Sequence, residues 1–301
     1  MRGMNNTQSQ TFSDQLLAFA IPGRNSRGRV VRLGPVLENI LAAHDYPKAI
    51  RHALAEALVL TALMGGLLKE DDDQLTVQIQ SRGGIASLLV CDYRAGMLRG
   101  YVQHDAERVA YAGASPTLQT LFGSGHLAIT FDIARTGKRY QGIVPLEGAS
   151  LSRAVENYFF QSEQVPTLIR TAISDGPEGT LAAGLLVQHM PEGEEGRERL
   201  HVQLDHPEWE HVEVLAGSLR HEELVERSLP LEEIVWRLYH EEDRVLINPG
   251  TELAKGCRCS ESYYEQVLAR FPKEDRREMV NEDGIILVDC AFCSKQFAIQ
   301  D

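Results

Sequence analysis

Hydrophobic and polar positions change period along this chain. Two short apolar runs come first, Leu16-Leu17-Ala18-Phe19-Ala20-Ile21 and Arg29-Val30-Val31-Arg32-Leu33. The second is β-branched and follows the turn-rich Pro22-Gly23-Arg24-Asn25, so both predict strands. Leu37, Ile40 and Leu41 then share one helical face, and Pro47 opens a long helix running to about Leu68. Within it Ile50, Ala53, Leu54, Ala57, Leu58 and Met64 follow the helical period. Thr61 is the polar residue on that stripe, and its hydroxyl is expected to bond back to the helix backbone. Gly65-Gly66 loosens the helix end.

From residue 74 to 146 the pattern alternates. Leu75 to Gln80 predicts a strand with one buried and one wet face. Ile85 to Cys91 and Met97 to Val102 predict a hairpin around Tyr93-Arg94-Ala95-Gly96, and His126 to Phe131 with Arg139 to Val144 predict another. Leu151 to Gln161 reads as a helix, followed by strands at Thr167 to Ile173 and Leu181 to Gln188. Helices and strands mix without a regular βαβ alternation. The fold class is therefore α+β: an N-terminal mixed α/β-sheet core domain over residues 1–190, a helical linker over 191–246 and a small C-terminal domain over 247–301.

The linker changes character. Pro191-Glu192-Gly193-Glu194-Glu195-Gly196-Arg197-Glu198 reads as a solvated hinge, followed by short helical pieces at Trp209 to Leu219, His221 to Glu226 and Pro230 to Tyr239. Pro230 suits a first helical position, and Leu231, Ile234, Val235 and Leu238 form an apolar stripe behind it. Short helices are marginal without packing. This segment also carries 16 acidic against 6 basic residues, a net −10 of the chain's −13, and its self-repulsion opposes compactness. It should be helical only while docked on another surface; an ordinary solvated connector is the plainer alternative.

The chain has 301 residues, enough for two domains or more, with the 43% apolar content of a globular protein. Met1 to Gln10 contains no apolar run, so no signal peptide is expected. The most apolar stretch, Ala57 to Leu68, is 12 residues long and too short to span a bilayer. A cytoplasmic, reducing location is expected, with no membrane partner, and the Asn5-Asn6-Thr7 sequon then has no meaning. Gly123-Ser124-Gly125-His126 is read as a Gly-rich loop that lacks the third glycine and the helix of a phosphate-binding loop, so no nucleotide is expected. No Gly-x-Ser-x-Gly or His-Glu-x-x-His motif occurs, and the histidines are scattered. Cys91 lies in a strand pattern and is expected to be a buried, inert thiol.

The remaining four cysteines carry the chemistry. Cys257-Arg258-Cys259 and Cys290-Ala291-Phe292-Cys293 are two close pairs separated by residues 260–289. Thiolates suit the borderline-soft zinc ion, and short spacings present two sulfurs to one ion, so all four are read as ligands of one zinc per chain. The same closeness makes the pairs competent for disulfides. The C-terminal domain holds a predicted helix at Tyr263 to Phe271 and a strand at Ile285 to Val288. A core that small rarely suffices alone, whereas structural zinc supplies roughly 10–16 kcal/mol in small peptides. Spacing alone favours a structural staple over a redox switch. Two other readings remain. In a thiol–disulfide oxidoreductase, Cys290 and Cys293 would act, but this C-x-x-C follows a strand and opens no helix to lower a thiol pKa. A zinc-ribbon binding module for nucleic acid should be basic, and this segment is acidic.

With both cysteine pairs and their separation, the chain resembles the redox-regulated 33-kilodalton heat-shock chaperone family over essentially its whole length. Further resemblance lies in Leu98-Arg99-Gly100-Tyr101, in Tyr140-Gln141-Gly142-Ile143-Val144-Pro145-Leu146, in Tyr158-Phe159-Phe160-Gln161-Ser162-Glu163-Gln164 and in Ala183-Gly184-Leu185-Leu186-Val187-Gln188-His189-Met190-Pro191. The resemblance implies a cytoplasmic holdase, not an enzyme, that turns over no nucleotide. It implies that the reduced thiolates bind one zinc and keep the protein inactive. On oxidation Cys257 would pair with Cys259 and Cys290 with Cys293, zinc would leave and the linker would unfold. An apolar surface would then capture unfolding client proteins, and the oxidised form could pair as a homodimer.

Overall fold

The computed structural model describes residues 14–111, 113, 116–190 and 207–300; the hinge expected at 191–198 and the sequon lie outside them. The chain opens with β1 (Gln15–Ile21) and β2 (Ser26–Leu33), antiparallel across a tight turn that closes with Asn25 at φ 43°, a conformation asparagine tolerates. Helix α1 (Pro35–Leu41) starts on proline, and the Asp14 carboxylate accepts from Gly34 N (2.6 Å) and Val36 N (3.0 Å) at its N-terminus. Helix α2 (Lys48–Gly65) follows. Then come β3 (Gln74–Gly83), β4 (Ala86–Arg94) and β5 (Met97–His104). Two short helices, α3 (Ala106–Val109) and α4 (Leu118–Phe122), lead to the hairpin β6 (Gly123–Ile133) and β7 (Lys138–Pro145). Helix α5 (Leu151–Tyr158) and the hairpin β8 (Thr167–Gly176) and β9 (Gly179–His189) complete this half.

These strands build two sheets around α2. One has β1, β2, β9 and β8 in that order; the other has β5, β4, β3, β6 and β7. Helix α2 packs against both. The sequence period marks one stripe on it, but the structure buries it all round from Ala57 to Gly65: Val59, Leu60, Ala62 and Leu63, off the predicted stripe, are as inaccessible as Leu54 and Leu58 on it. Where it lies between the two sheets it has no wet face; Lys48, Arg51, His52 and Glu56 keep one only in its first turns. The predicted Thr61 bond is present, its hydroxyl donating to the Ala57 carbonyl at 2.7 Å.

Several local expectations shift. Helix α2 ends at Gly65, where the pair Gly65-Gly66 weakens the helix; position 65 has to be glycine, since a side chain there would collide with the Tyr93 ring. The predicted helix to Gln161 is α-helical only to Tyr158, then widens into a π-turn over Phe159–Glu163 that ends on Gln164 at φ 54°. The supposed loop at Gly123-Ser124-Gly125-His126 is the start of β6, where the register with β3 slips at Arg82 and Gly83. Gly123 has φ 61°, and a Cβ there would lie 2.4 Å from the Arg82 carbonyl oxygen. The β4–β5 turn falls at Ala95 and Gly96, φ 50° and 76°, the pair of left-handed residues a tight hairpin needs.

The acidic helices α6 (Pro207–Gly217), α7 (His221–Leu224) and α8 (Leu231–Tyr239) lie on the first sheet. Trp209, Val212, Leu219, Ile234, Val235 and Tyr239 form one buried cluster with Leu17, Phe19 and Ile21 of β1 and with Val30, Leu185 and Val187 beside it. Polar contacts fix the docking. The Arg32 guanidinium reaches out of β2 to the carbonyls of Leu224 (Nε, 2.9 Å) and Leu229 (Nη1, 2.8 Å). Burial lowers the Arg32 pKa to about 10, which leaves the side chain charged. Glu242, just past α8, takes Arg24 Nε at 2.9 Å and His211 Nε2 at 2.9 Å.

Residues 246–255, for which the sequence pattern predicts no element, form a strap. Here β10 (Leu246–Ile247) and β11 (Thr251–Glu252) pair antiparallel with β1, and β12 (Ala254–Lys255) pairs parallel with β5. The strap thus edges both sheets, and its Leu253 is buried in the main core. Last come α9 (Glu261–Leu268), α10 (Lys273–Met279) and the hairpin β13 (Ile285–Asp289) and β14 (Gln296–Gln300). Among the described residues, no helix is long and apolar enough to cross a membrane.

The docking of the acidic helices yields a first prediction. Tyr239 is fully buried against Phe19, their rings 5.7 Å apart. Tyr239→Ala should weaken the docking by about 3 kcal/mol. Hydrogen exchange should then rise across 207–239 while α2 stays protected; equal protection in variant and parent would show that the cluster does not hold these helices.

Candidate metal centre

Each half of the cysteine motif is positioned by backbone geometry. Strand β12 delivers the C-x-C directly: Gly256 N donates to the Leu98 carbonyl at 2.8 Å, and a Cβ on Gly256 would strike Met97. Immediately after it Ser260 caps α9, its hydroxyl accepting from Tyr263 N at 3.2 Å. The C-x-x-C sits in the turn between β13 and β14. There the Cys290 carbonyl accepts from Cys293 N (3.3 Å) and Ser294 N (2.8 Å), with Ser294 at φ 56°. This is a knuckle that turns two thiols toward one point.

The structure brings all four cysteines together. Cys257 Sγ lies 3.3 Å from Cys259 Sγ and 3.5 Å from Cys290 Sγ, and Cys259 Sγ lies 3.5 Å from Cys293 Sγ. All four sulfurs fall within 4.8 Å of one another, and every cysteine is a free thiol. A tetrahedron of sulfurs at the usual zinc distance has edges of about 3.8 Å, so the donor set fits such an ion. The local electrostatics favour a cation too. Burial and the neighbouring sulfurs push the Cys259 thiol up, and burial raises Cys293 as well. Burial also works against ionising Cys290, but hydrogen bonds from the Tyr264 hydroxyl and from Phe292 and Cys293 N–H outweigh it and bring its pKa down to about 6. Four sulfurs this close cannot all carry charge unless a cation offsets their repulsion. Cys91 stays apart, fully buried beneath Gly100, and burial pushes its thiol up as well, the inert behaviour expected of it.

Around the sulfurs the apolar support is thin. The cluster consists of Leu268, Ile286, Cys290, Phe297 and Ile299, with Tyr264, Val288 and Phe292 packed at its margin. One of its buried members is itself a candidate ligand.

Sequence reasoning missed the contacts between this unit and the core. Asp92 on β4 is buried. Its Oδ2 takes Arg99 Nε at 2.7 Å and Arg258 Nη2 at 3.1 Å, and its Oδ1 takes the Thr76 hydroxyl at 2.7 Å. Arg258 stands between Cys257 and Cys259 and also donates to Gln74 Oε1 at 2.7 Å. Arg99 stacks over Phe292, inside the other cysteine pair, at 4.0 Å from the ring centroid. One carboxylate of the core thus holds an arginine on each half of the motif. On the other flank His44 donates from Nε2 to the Ala291 carbonyl (2.7 Å), and the Ser294 hydroxyl donates to the Ala43 carbonyl (2.6 Å). No spacing rule marks Asp92. It alternates with Leu88 and Val90 on the solvent side of β4 and is buried because the arginines cover it.

Comparison with known proteins agrees with this geometry. The family model described as Hsp33 protein matches residues 14–300. The 33 kDa chaperonin of Caulobacter vibrioides is 36% identical over 295 residues, covering 96% of this chain and 95% of that protein. The 33 kDa chaperonin of Shewanella loihica is 34% identical over 285 residues, 95% of this chain and 92% of that protein. Among solved structures, the 33 kDa chaperonin of Thermotoga maritima superposes with a TM-score of 0.77 at 20% identity, covering 95% of both chains, and so shares the fold.

Two predictions follow from the site. Cys290→Ser should lose most of the bound zinc, read as metal content after dialysis, because a serine hydroxyl is a poor substitute for thiolate; full retention at unchanged affinity would exclude Cys290 as a ligand. Asp92→Asn should cost about 2 kcal/mol in denaturant unfolding by weakening two charge-assisted bonds at a buried site. Arg258→Ala should cost less, because that side chain is 30% exposed; the reverse order would show that Asp92 is not the node.

Proposed function

The chain belongs to the Hsp33 family, and from that premise we propose that it is a cytoplasmic holdase switched by oxidation of its zinc-binding cysteines. In this reading Cys257, Cys259, Cys290 and Cys293 hold one zinc ion as thiolates, and the ion keeps them in the form that oxidants attack. A peroxide-type oxidant takes two electrons from each pair. Disulfides form between Cys257 and Cys259 and between Cys290 and Cys293, and zinc loses all its ligands. The local pairing rests on the family resemblance, because the sulfur distances across and within the pairs are alike.

The observation that carries the reading is the small size of the cluster around the sulfurs. With five buried residues, the C-terminal unit has little to hold it once the metal is gone. Its melting releases the contacts of Arg258, Phe292 and Ser294 with the core, and with them one end of the strap. The acidic helices then depend on their apolar stripe and on the contacts of Arg32 and Glu242, against their own charge. When they lift, Leu17, Phe19, Ile21, Val30, Leu185 and Val187 become a continuous apolar face able to hold unfolding proteins, while the acidic segment keeps the complex in solution. Nothing in this sequence requires nucleotide, and capture needs no turnover.

Suppression of citrate synthase aggregation tests the reading. Peroxide-treated protein should suppress in step with zinc release, reduced zinc-loaded protein should not, and neither should turn over insulin disulfides. If zinc is released and both forms remain inactive, the site is a structural staple and the proposal fails.

A further inference from the structure

The edge of β1 already carries a bound strand, the chain's own strap. Ile247 stands opposite Phe19 and Leu246 opposite Ala20, and Thr251 and Glu252 stand opposite Leu16 and Gln15. Backbone bonds run from Asn248 N to the Ala18 carbonyl (2.9 Å) and from Leu253 N to the Asp14 carbonyl (2.9 Å). The cover is poor. It consists of two dipeptide strands broken by Asn248-Pro249-Gly250, and Pro249 has no N–H to give. Its ends are tied elsewhere, to α8 on one side and to the cysteine unit on the other. The face beside this edge is apolar, since Leu17, Phe19 and Ile21 pack under the acidic helices.

This inference rests on the release proposed above. We propose that the edge of β1, vacated by the strap, is where the protein takes its client: an extended stretch of unfolded polypeptide with apolar residues at alternate positions. It adds antiparallel to β1 in the place of the strap. Main-chain bonds to the Ala18 and Asp14 carbonyls, which now face Asn248 and Leu253, give affinity for any sequence, and alternate side chains enter the face left by α6 and α8. The strap is the internal model of that ligand, and Ile247 marks the position of its apolar side chain.

The other edges fit less well. That of β5, covered by β12, is flanked by the charged group of Asp92, Arg94 and Arg99. Strand β7 ends its sheet with Tyr140 and Ile143 exposed while the strap and helices are docked, so its availability does not depend on the switch. Strand β8, the other edge of the first sheet, shares the apolar face through Leu168 and Ala172, but it carries no strand that the switch would remove; among the described residues β1 combines an edge closed by the strap with an apolar face under the acidic helices.

The test compares two fluorescent probes on the full chain: a short peptide of alternating valine and threonine, and the same peptide methylated on alternate backbone nitrogens. Methylation removes strand pairing and leaves the side chains. The oxidised, metal-free chain should bind the parent peptide about tenfold or more tighter than the methylated one, and hydrogen exchange at Leu16 to Ile21 should slow when the parent peptide binds. Equal binding of the two probes would overturn strand addition. A second variant separates this from the switch. Leu246 and Ile247 are 40% and 39% exposed, so Ile247→Asp loosens the strap without emptying a core position. In the reduced, zinc-loaded state it should bind the parent peptide more tightly than the unaltered chain does, with the same discrimination against methylation. If 207–239 stays protected on oxidation while Ile247→Asp still discriminates, redox release fails and the edge stands. If 207–239 opens and neither form discriminates, release stands and the edge fails.

Discussion

Five buried residues hold the last forty-odd positions of this chain together, and one of them is Cys290. That shortage of apolar contact governs the rest of the molecule. A segment with an ample core would keep its shape whatever happened to its sulfurs. This one places four thiols within 4.8 Å, where they repel as thiolates unless a cation joins them. In the proposed reading its shape depends on that cation, and the strap and the acidic helices upstream inherit the dependence through the chain.

The sequence announced the conditional parts more clearly than the permanent ones. The cysteine pairs, the charge of the linker and the stripe of Leu231, Ile234, Val235 and Leu238 are local signals, and the helices do dock by that stripe on the first sheet. The alternation from Leu75 onward and the hairpins around Ala95 and residues 134–137 were legible too, because a strand with one wet face writes its period into the chain. What could not be read is whatever depends on a distant partner. Helix α2 looks amphipathic until a second sheet is laid on its other side. Residues 246–255 have no period because each strand in them is two residues long and is defined by the edge it meets. Asp92 looks like a surface carboxylate until Arg99 and Arg258 close over it.

Asp92 also shows how the two halves are joined. Contact between the cysteine unit and the core is mostly polar: a carboxylate shared by two arginines, a guanidinium on a ring, a histidine and a serine donating to carbonyls. Polar contacts depend on direction and distance more than apolar ones do. Such a joint holds while Arg258 and Phe292 keep their places relative to the sulfurs, and it offers little residual attraction once they move. The joint of the acidic helices is mainly a broad apolar contact, pinned at two points by Arg32 and Glu242. Under the proposed switch, the first would register the state of the cysteine cluster and the second would conceal a surface.

The strap pairs residue 252 with residue 15, so the first described strand waits for nearly the whole chain before its edge is closed. A ribosome makes the chain from its N-terminus, and domains fold in that order. Both sheets of the core can therefore form before their cover exists. A newly made chain can thus form its core while the edge of β1 is still open, and the cover is added to a surface already built.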